Sequence, residues 1–302
     1  MLHTARFSSA AFSGIKNVTV IGGGQMGSGI AQVIAQKGQN VSLIDVSEEA
    51  LKKSKQTITK GLKKVAKTLY KENPEEGEKF VENSLRQIQF STDLSGAASE
   101  SDLVLEAIAE DPELKRKVFA SIDKVAPERT IFGTNTSSIP VRDLSVAVER
   151  KDRFTGVHFF NPVPVMQLVE LVRADTVSDA TYNTLFEWLK SIDRKPISCK
   201  DTPGFIVNRL LFPFLSEAIK MYERGDAELK DIDLAMKLGL KHPMGPIELA
   251  DWIGHDTIVS CNAVWRDLHP GDPVFTPLKS QLKLVEEGKL GFKTGEGYHK
   301  YK

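Results

Sequence analysis

Two polar residues stand out in the apolar segment HFFNPVPVMQLVELV: His158 near its start and Glu170 near its end. Pro164 lies midway, six residues from each, so a chain that folds back at the prolines sets imidazole and carboxylate opposite one another. A carboxylate flanked by Leu168, Val169, Leu171 and Val172 is costly to bury without a partner. A histidine held by such a carboxylate has a fixed tautomer and a stabilised charged form, the properties a general base needs. The chemistry expected of the pair is proton abstraction.

Other reactive side chains offer less. His242, His255, His269 and His299 lack metal-ligand spacing to one another or to carboxylates, so no metal and no chemistry are assigned to them. Cys199 and Cys261 are too few and too far apart for a disulfide framework or a zinc site. Forty basic residues balance forty acidic ones, and this overall neutrality gives no sign of a nucleic-acid or membrane-surface partner. No apolar run reaches the roughly 18 residues that read as a spanning helix.

The elements that would position the pair begin with KNVTVIGGGQMGSGIAQVIAQKG, which reads as strand, tight turn, helix. Val18, Val20 and Ile21 form a β-branched run; Gly22, Gly24 and Gly27 supply the G-x-G-x-x-G spacing; Met26, Ile30, Val33 and Ile34 recur at helical intervals. The glycines serve a tight turn, close approach of a pyrophosphate, and packing of helix on strand, with the phosphates at the positive helix end. The next strand, VSLID, ends at Asp45, 21 residues beyond Gly24. A carboxylate there accepts hydrogen bonds from the adenosine ribose and repels a 2′-phosphate, which favours NAD over NADP. The FAD version of this fingerprint usually opens a much longer chain.

Further along, DLVLEAIAE and TIFGTNTSS read as two more buried strands joined by the helix DPELKRKVFASIDKVA. Ligands bind at the carboxyl ends of such strands, where Glu110, Asn135, Thr136 and Ser137 fall. Between the second and third strands, SEEALKKSKQTITKGLKKVAKTLYKENPEEGEKFVENSLRQIQF predicts two helical stretches around ENPEEGE, an inserted hairpin whose first arm is rich in lysine. After CKDTPGFIVNRLL the pattern is almost wholly helical. Pro203 and Gly204 mark the boundary, and Asp201 or Thr202 is placed to cap the helix that follows. Phe205, Ile206, Leu210, Leu211 and Leu215 make that helix apolar on more than one face, as in helices buried between subunits. Asn208 sits among them and needs a partner if buried. HPMGPIELADWIGHD, with Pro243, Gly245 and Pro246, reads as a structural corner.

The fold class expected is an α/β Rossmann-type dinucleotide-binding domain with an inserted helical hairpin, residues 16–201, followed by an all-α domain, 202–302. Residues 1–15 are expected to be a transit peptide or a disordered leader. Their sequence, MLHTARFSSAAFSGI, has Arg6, three serines and no acid, and resembles a mitochondrial transit peptide.

With the glycine loop, Asp45, NTSS, HFFNPVPVMQLVE, DTPGFIVNRLL and HPMGPIEL in this order, the chain closely resembles the monofunctional short-chain L-3-hydroxyacyl-CoA dehydrogenases of mitochondrial fatty-acid β-oxidation, from about Val18 to Lys302. The resemblance implies NAD-dependent oxidation of (S)-3-hydroxyacyl-CoA to 3-ketoacyl-CoA in the mitochondrial matrix, by a homodimer joined through the helical domain. It implies that His158 is the general base, that Glu170 orients it, and that Ser137 and Asn208 hold the reacting oxygen and the thioester region. NAD would meet Gly22, Gly24, Gln25, Met26, Gly27, Asp45, Glu110, Lys115, Ser137, Asn161 and Lys293. The substrate would meet Ser137, Asn161 and Asn208. The family often places a serine and a lysine near the coenzyme A phosphates where this chain has Gly61 and Thr68; neighbouring Lys64 and Lys67 are the substitutes expected. Val46, after Asp45, also replaces a polar residue common in the animal enzymes. Two other classes fit the residues less well. A hydroxyisobutyrate-type dehydrogenase generally uses a lysine instead of the His–Glu pair, and a non-catalytic relative has no need of the intact polar set.

Overall fold

The computed structural model describes residues 14–301. The expected leader therefore falls, up to residue 13, outside the described residues. The chain divides into two compact units between Phe205 and Ile206.

The first unit carries, in order, β1 (Asn17–Ile21), α1 (Gln25–Ala35), β2 (Asn40–Ile44), α2 (Glu48–Leu69), α3 (Pro74–Arg86), β3 (Ile88–Ser91), α4 (Leu94–Ser99), β4 (Leu103–Glu106), α5 (Pro112–Asp123), β5 (Ile131–Thr134), α6 (Val141–Ser145), β6 (Phe154–Phe159), β7 (Leu168–Arg173), α7 (Asp179–Ser191) and β8 (Lys195–Lys200). They build one eight-stranded sheet of order β3-β2-β1-β4-β5-β6-β7-β8. All neighbours are parallel except β6 and β7, which pair antiparallel. The order reverses direction at β1 and β4, the switch point where ligands bind in open sheets of this kind. Central strands of a parallel sheet are covered on both faces, which explains the unbroken apolar runs. Val20, Leu43, Leu103, Val104, Phe132 and Val157 are fully buried.

The helices start where their sequences allow it. Ser47 caps α2 by accepting from the Ala50 amide, Asn73 caps α3 ahead of Pro74, and Asp111 caps α5 ahead of Pro112. The inserted hairpin is thus present as α2 and α3, but the last three residues of the stretch expected to be helical, IQF, belong to strand β3. Four residues carry too little period to show that; pairing with β2 decides it. Asp201 does not cap the helix that follows it. Its carboxylate accepts from the amides of Val141 and Arg142, both 2.8 Å away, and so caps α6.

The second unit holds α8 (Val207–Glu223), α9 (Leu229–Leu240), α10 (Pro246–Ile253), α11 (His255–Leu268) and α12 (Lys279–Glu286). Its core gathers Phe212, Leu215, Ala250, Ile258, Trp265 and Phe275 in one cluster and Ala218, Ile219, Ile232, Ile247 and Leu278 in another. Leu215 is buried as expected for α8, but Leu210 is 69 % exposed in the single chain, so that helix is not covered all round. The corner HPMGPIELADWIGHD is held by Asp251. This fully buried carboxylate accepts from the amides of Tyr298 and His299, from the Tyr301 hydroxyl and from the His255 ring.

Candidate active site

The antiparallel register sets His158 directly opposite Glu170 across β6 and β7. Nδ1 of the imidazole lies 2.8 Å from a Glu170 carboxylate oxygen, and both residues are buried. With Nδ1–H donating to the carboxylate, Nε2 keeps its lone pair and is the nitrogen that can take a proton. The ring packs against Phe160 and Phe205, at centroid distances of 4.6 and 5.5 Å. Burial, with the negative charges of Glu170 and Asp201 nearby, pushes the Cys199 thiol up to about 12. Cys199 thus stays protonated and is no nucleophile at neutral pH.

The turn between the two strands is held from three sides. The buried guanidinium of Arg194 donates to the carbonyls of Val163 and Met166. Gly29 on α1 leaves room for Val163, which a Cβ there would meet at 2.8 Å. Gln25, the first residue of α1, donates from Nε2 to Oδ1 of Asn161 at 2.9 Å. Two residues expected to face the cofactor are thereby joined, and the glycine loop is tied to the histidine hairpin. Asn135, at the end of β5, accepts from the Phe159 amide at 2.8 Å and fixes the end of β6.

At the switch point the glycines have separate structural reasons. Gly22 has φ +108°, and a Cβ there would lie 2.5 Å from the Ala107 carbonyl oxygen. A Cβ on Gly27 would lie 1.8 Å from the Gly22 carbonyl oxygen, so helix and turn touch through backbone alone. A Cβ on Gly24 would meet no atom of the chain within 4 Å; the loop is open there. Gly24 also begins α1 with no side-chain cap, leaving the amides of the first turn to a ligand. Asp45, at the end of β2, accepts from the Gly23 and Ser47 amides at 2.8 and 3.1 Å. A carboxylate has acceptor sites beyond those two, enough for a ribose diol. This cradle fits the diphosphate and adenosine ribose of a dinucleotide.

A second carboxylate organises the loops after β4 and β5. Glu110 accepts from the Thr136 hydroxyl, the Ser137 and Ser138 amides and the Ser138 hydroxyl, and pairs with Lys115 at 3.1 Å. Burial by itself would raise its pKa; the Lys115 ammonium and the Thr136 and Ser137 hydrogen bonds outweigh it and hold Glu110 below the ordinary carboxylate range. Lys115 is fully buried, its ammonium 2.6 Å from Glu106. In this structure the Lys115 ammonium faces the carboxylates of Glu106 and Glu110. Glu106 is itself fully buried and accepts from Thr134 and the Ile108 amide. Glu106, Arg194, Ser54 and Ser28, the last two donating to the Gly23 carbonyl, went unread in the sequence. Only the acid in the apolar run DLVLEAI could have flagged one of them.

Other expected residues are placed as follows. Met26 lies in the first turn of α1, packed on the core of the first unit. Ser137 is half-buried beside Glu110. Gly61 faces α1, where a Cβ would meet the Gln32 side-chain oxygen at 2.2 Å, and the Thr68 hydroxyl donates to the Lys64 carbonyl. Lys64 and Lys67 are exposed on α2, and Val46 is 98 % exposed beside Asp45. Asn208 and Lys293 belong to the second unit. Asn208 is half-buried in the first turn of α8, and Lys293 pairs with Asp256 at 2.7 Å.

A dinucleotide cradle at the switch point, in the same sheet as an imidazole held by an acid, defines an NAD-dependent oxidoreductase. Comparison with known proteins narrows the class. Residues 17–202 match the 3-hydroxyacyl-CoA dehydrogenase NAD-binding domain, and residues 204–301 match the 3-hydroxyacyl-CoA dehydrogenase C-terminal domain. The mitochondrial hydroxyacyl-coenzyme A dehydrogenase of Homo sapiens is 51 % identical over 288 residues, covering 95 % of this chain and 92 % of that protein. A 3-hydroxybutyryl-CoA dehydrogenase of Bradyrhizobium diazoefficiens is 41 % identical, covering 95 % and 96 %. The crystal structure of (S)-3-hydroxybutyryl-CoA dehydrogenase from Ralstonia eutropha superposes with a TM-score of 0.89 at 39 % identity, covering 95 % of this chain and 99 % of that one. The chain belongs to the 3-hydroxyacyl-CoA dehydrogenase family.

Proposed function

We propose that this chain oxidises (S)-3-hydroxyacyl-CoA to 3-ketoacyl-CoA in fatty-acid β-oxidation, with His158 as the general base. The observation that carries the residue assignment is the buried 2.8 Å contact of His158 with Glu170. Bound NAD supplies the hydride acceptor for C3 of the acyl group. Nε2 of His158 takes the proton of the 3-hydroxyl, and Glu170, on the far nitrogen, holds the ring and offsets the charge it gains. In reverse the imidazolium returns that proton to the oxygen at C3. The glycine loop and the α1 amides hold the diphosphate, and Asp45 takes the ribose hydroxyls and excludes a 2′-phosphate. Glu110, Ser137 and Asn161 are assigned to contacts with the bound NAD. Ser137 and Asn208 are assigned to the reacting oxygen and the thioester region, Lys293 to NAD, and Lys64 and Lys67 to the coenzyme A phosphates.

Two further parts of the reading concern setting. The protein acts in the mitochondrion, the compartment in the name of the similar Homo sapiens enzyme, and within it in the matrix. It works as a homodimer through the helical unit, which leaves Leu210, Leu238, Leu240 and Trp252 largely exposed in the single chain. A monomeric mass by light scattering would refute the dimer.

The test is NADH consumption with 3-ketoacyl-CoA substrates of increasing chain length, beside free acetoacetate. Turnover of acetoacetyl-CoA but not of acetoacetate is expected. His158→Gln should lower kcat by about 10²- to 10⁴-fold, the usual worth of a general base, and leave NAD affinity unchanged. Near-normal turnover in that variant would remove His158 from the mechanism.

A further inference from the structure

Overall neutrality conceals a segregation of charge. The 22 residues from Ala50 to Lys71 contain eight lysines and no acid. On α2, at about 100° per residue, Lys52, Lys53, Lys60, Lys63, Lys64 and Lys67 fall on one arc of about 120° spanning roughly 22 Å of helix. All six are exposed. The opposite face, Leu51, Ser54, Ile58, Leu62 and Ala66, is buried. Among the described residues only Lys53 of the six has a carboxylate within ion-pair distance, Glu49 at 2.8 Å.

The adjoining helix shows that a merely solvated face is built differently here. On α3, Glu76 pairs with Lys79 and Glu82 with Arg86, the alternation that lets an exposed helix face support itself. On α2, Lys60 stands three and four residues from Lys63 and Lys64, which repeat that spacing to Lys67. Like charges at these spacings destabilise a helix, and nothing within α2 beyond its first turn offsets them.

We infer that the lysine face of α2 docks the protein on an anionic lipid bilayer surface. Lys64 and Lys67, at one end, are the pair assigned to the coenzyme A phosphates; the array as a whole is convex, and Lys52, Lys53, Lys60 and Lys63 match an extended sheet of charge and not a pocket. It is made of lysine alone. A compact ammonium suits mobile headgroups, whereas paired recognition of fixed phosphates draws on arginine. The arc carries no aromatic side chain on which a base could stack, which argues against a single-stranded nucleic acid. It also carries no apolar residue to insert, so the attachment is electrostatic, reversible and sensitive to salt.

The experiment is co-sedimentation of the full chain with phosphatidylcholine vesicles containing about one-third phosphatidylglycerol, at low ionic strength and then at physiological and higher salt. Binding to these vesicles, none to pure phosphatidylcholine, and release by salt are expected. Each lysine near such a surface strengthens binding about fivefold, so Lys52→Gln, Lys60→Gln and Lys63→Gln together should weaken it about 10²-fold. These changes relieve repulsion within the helix, so the fold and the turnover of acetoacetyl-CoA should be unaffected. Failure to sediment at low salt, or equal binding by the triple variant, would overturn the proposal. So would tighter binding of duplex DNA than of anionic vesicles, which would make the face a nucleic-acid surface.

Discussion

Glu170 is buried and hydrogen-bonded to Nδ1 of His158, so whatever it contributes to the reaction passes through the imidazole. Replacing the carboxylate by an amide of the same shape keeps the ring in place but leaves the charged imidazole unsupported as the proton arrives. Glu170→Gln should therefore fold normally and lose activity severely, on the order of 10²-fold or more in kcat, with little change in NAD affinity. Steady-state kinetics with acetoacetyl-CoA, beside a thermal melt, measures both; unchanged kcat would show that Glu170 is only a packing residue. This pair was legible in the sequence because its surroundings were apolar, which made two polar residues conspicuous, and because Pro164 supplied the reversal. Arg194 was not legible. It clamps the same turn through carbonyl oxygens, and a side chain that bonds backbone leaves no complementary residue type to find.

At the scale of elements, the strand–turn–helix of β1 and α1 separates folding from binding within one short loop. Gly27→Ala places a methyl on the Gly22 carbonyl, 1.8 Å away before relaxation, and should cost about 1–3 kcal/mol of stability. Gly24→Ala meets nothing in the chain, so its melting temperature should match the wild type. It fills the space a diphosphate must enter, and NAD affinity should fall at least about tenfold, or ~1.4 kcal/mol. Calorimetric titration with NAD alongside scanning calorimetry separates the two, and wild-type affinity in Gly24→Ala would show that the diphosphate does not approach that turn. Glycine spacing revealed this element because each glycine has a distinct steric duty. Short pieces escaped for the opposite reason. β3 is four residues long, and its strand character comes from β2 beside it. Asp201 precedes a helix in sequence yet caps α6, sixty residues upstream, because only the folded chain shows which amides lie near its carboxylate.

Across the whole molecule, the change of texture after Cys199 revealed two units, while the way each is closed lay beyond the sequence. The helical unit closes on Asp251, which gathers the last residues of the chain onto α10. Burial would raise the pKa of this carboxyl; the His255 ring, the His299 and Tyr298 amides and the Tyr301 hydroxyl prevail and hold it below the ordinary aspartate range. A carboxyl whose folded pKa lies below its unfolded value contributes stability at and above neutral pH. That contribution is lost as the pH falls through the unfolded and then the folded pKa. Asp251→Asn removes the charge and turns one acceptor oxygen into a donor that faces other donors. A cost of about 3–5 kcal/mol at pH 7 is expected, as for a buried charge network broken on one side. Below about pH 4 the unfolded chain takes up the proton that the folded carboxyl still refuses, so wild-type stability falls and the gap between the two proteins should narrow there. Denaturant unfolding of both proteins between pH 7 and pH 3 measures this gap. If it stays constant across that range, the Asp251 charge does not hold the helical unit closed, and the C-terminal segment is kept in place by the packing of Tyr298 and Tyr301 instead.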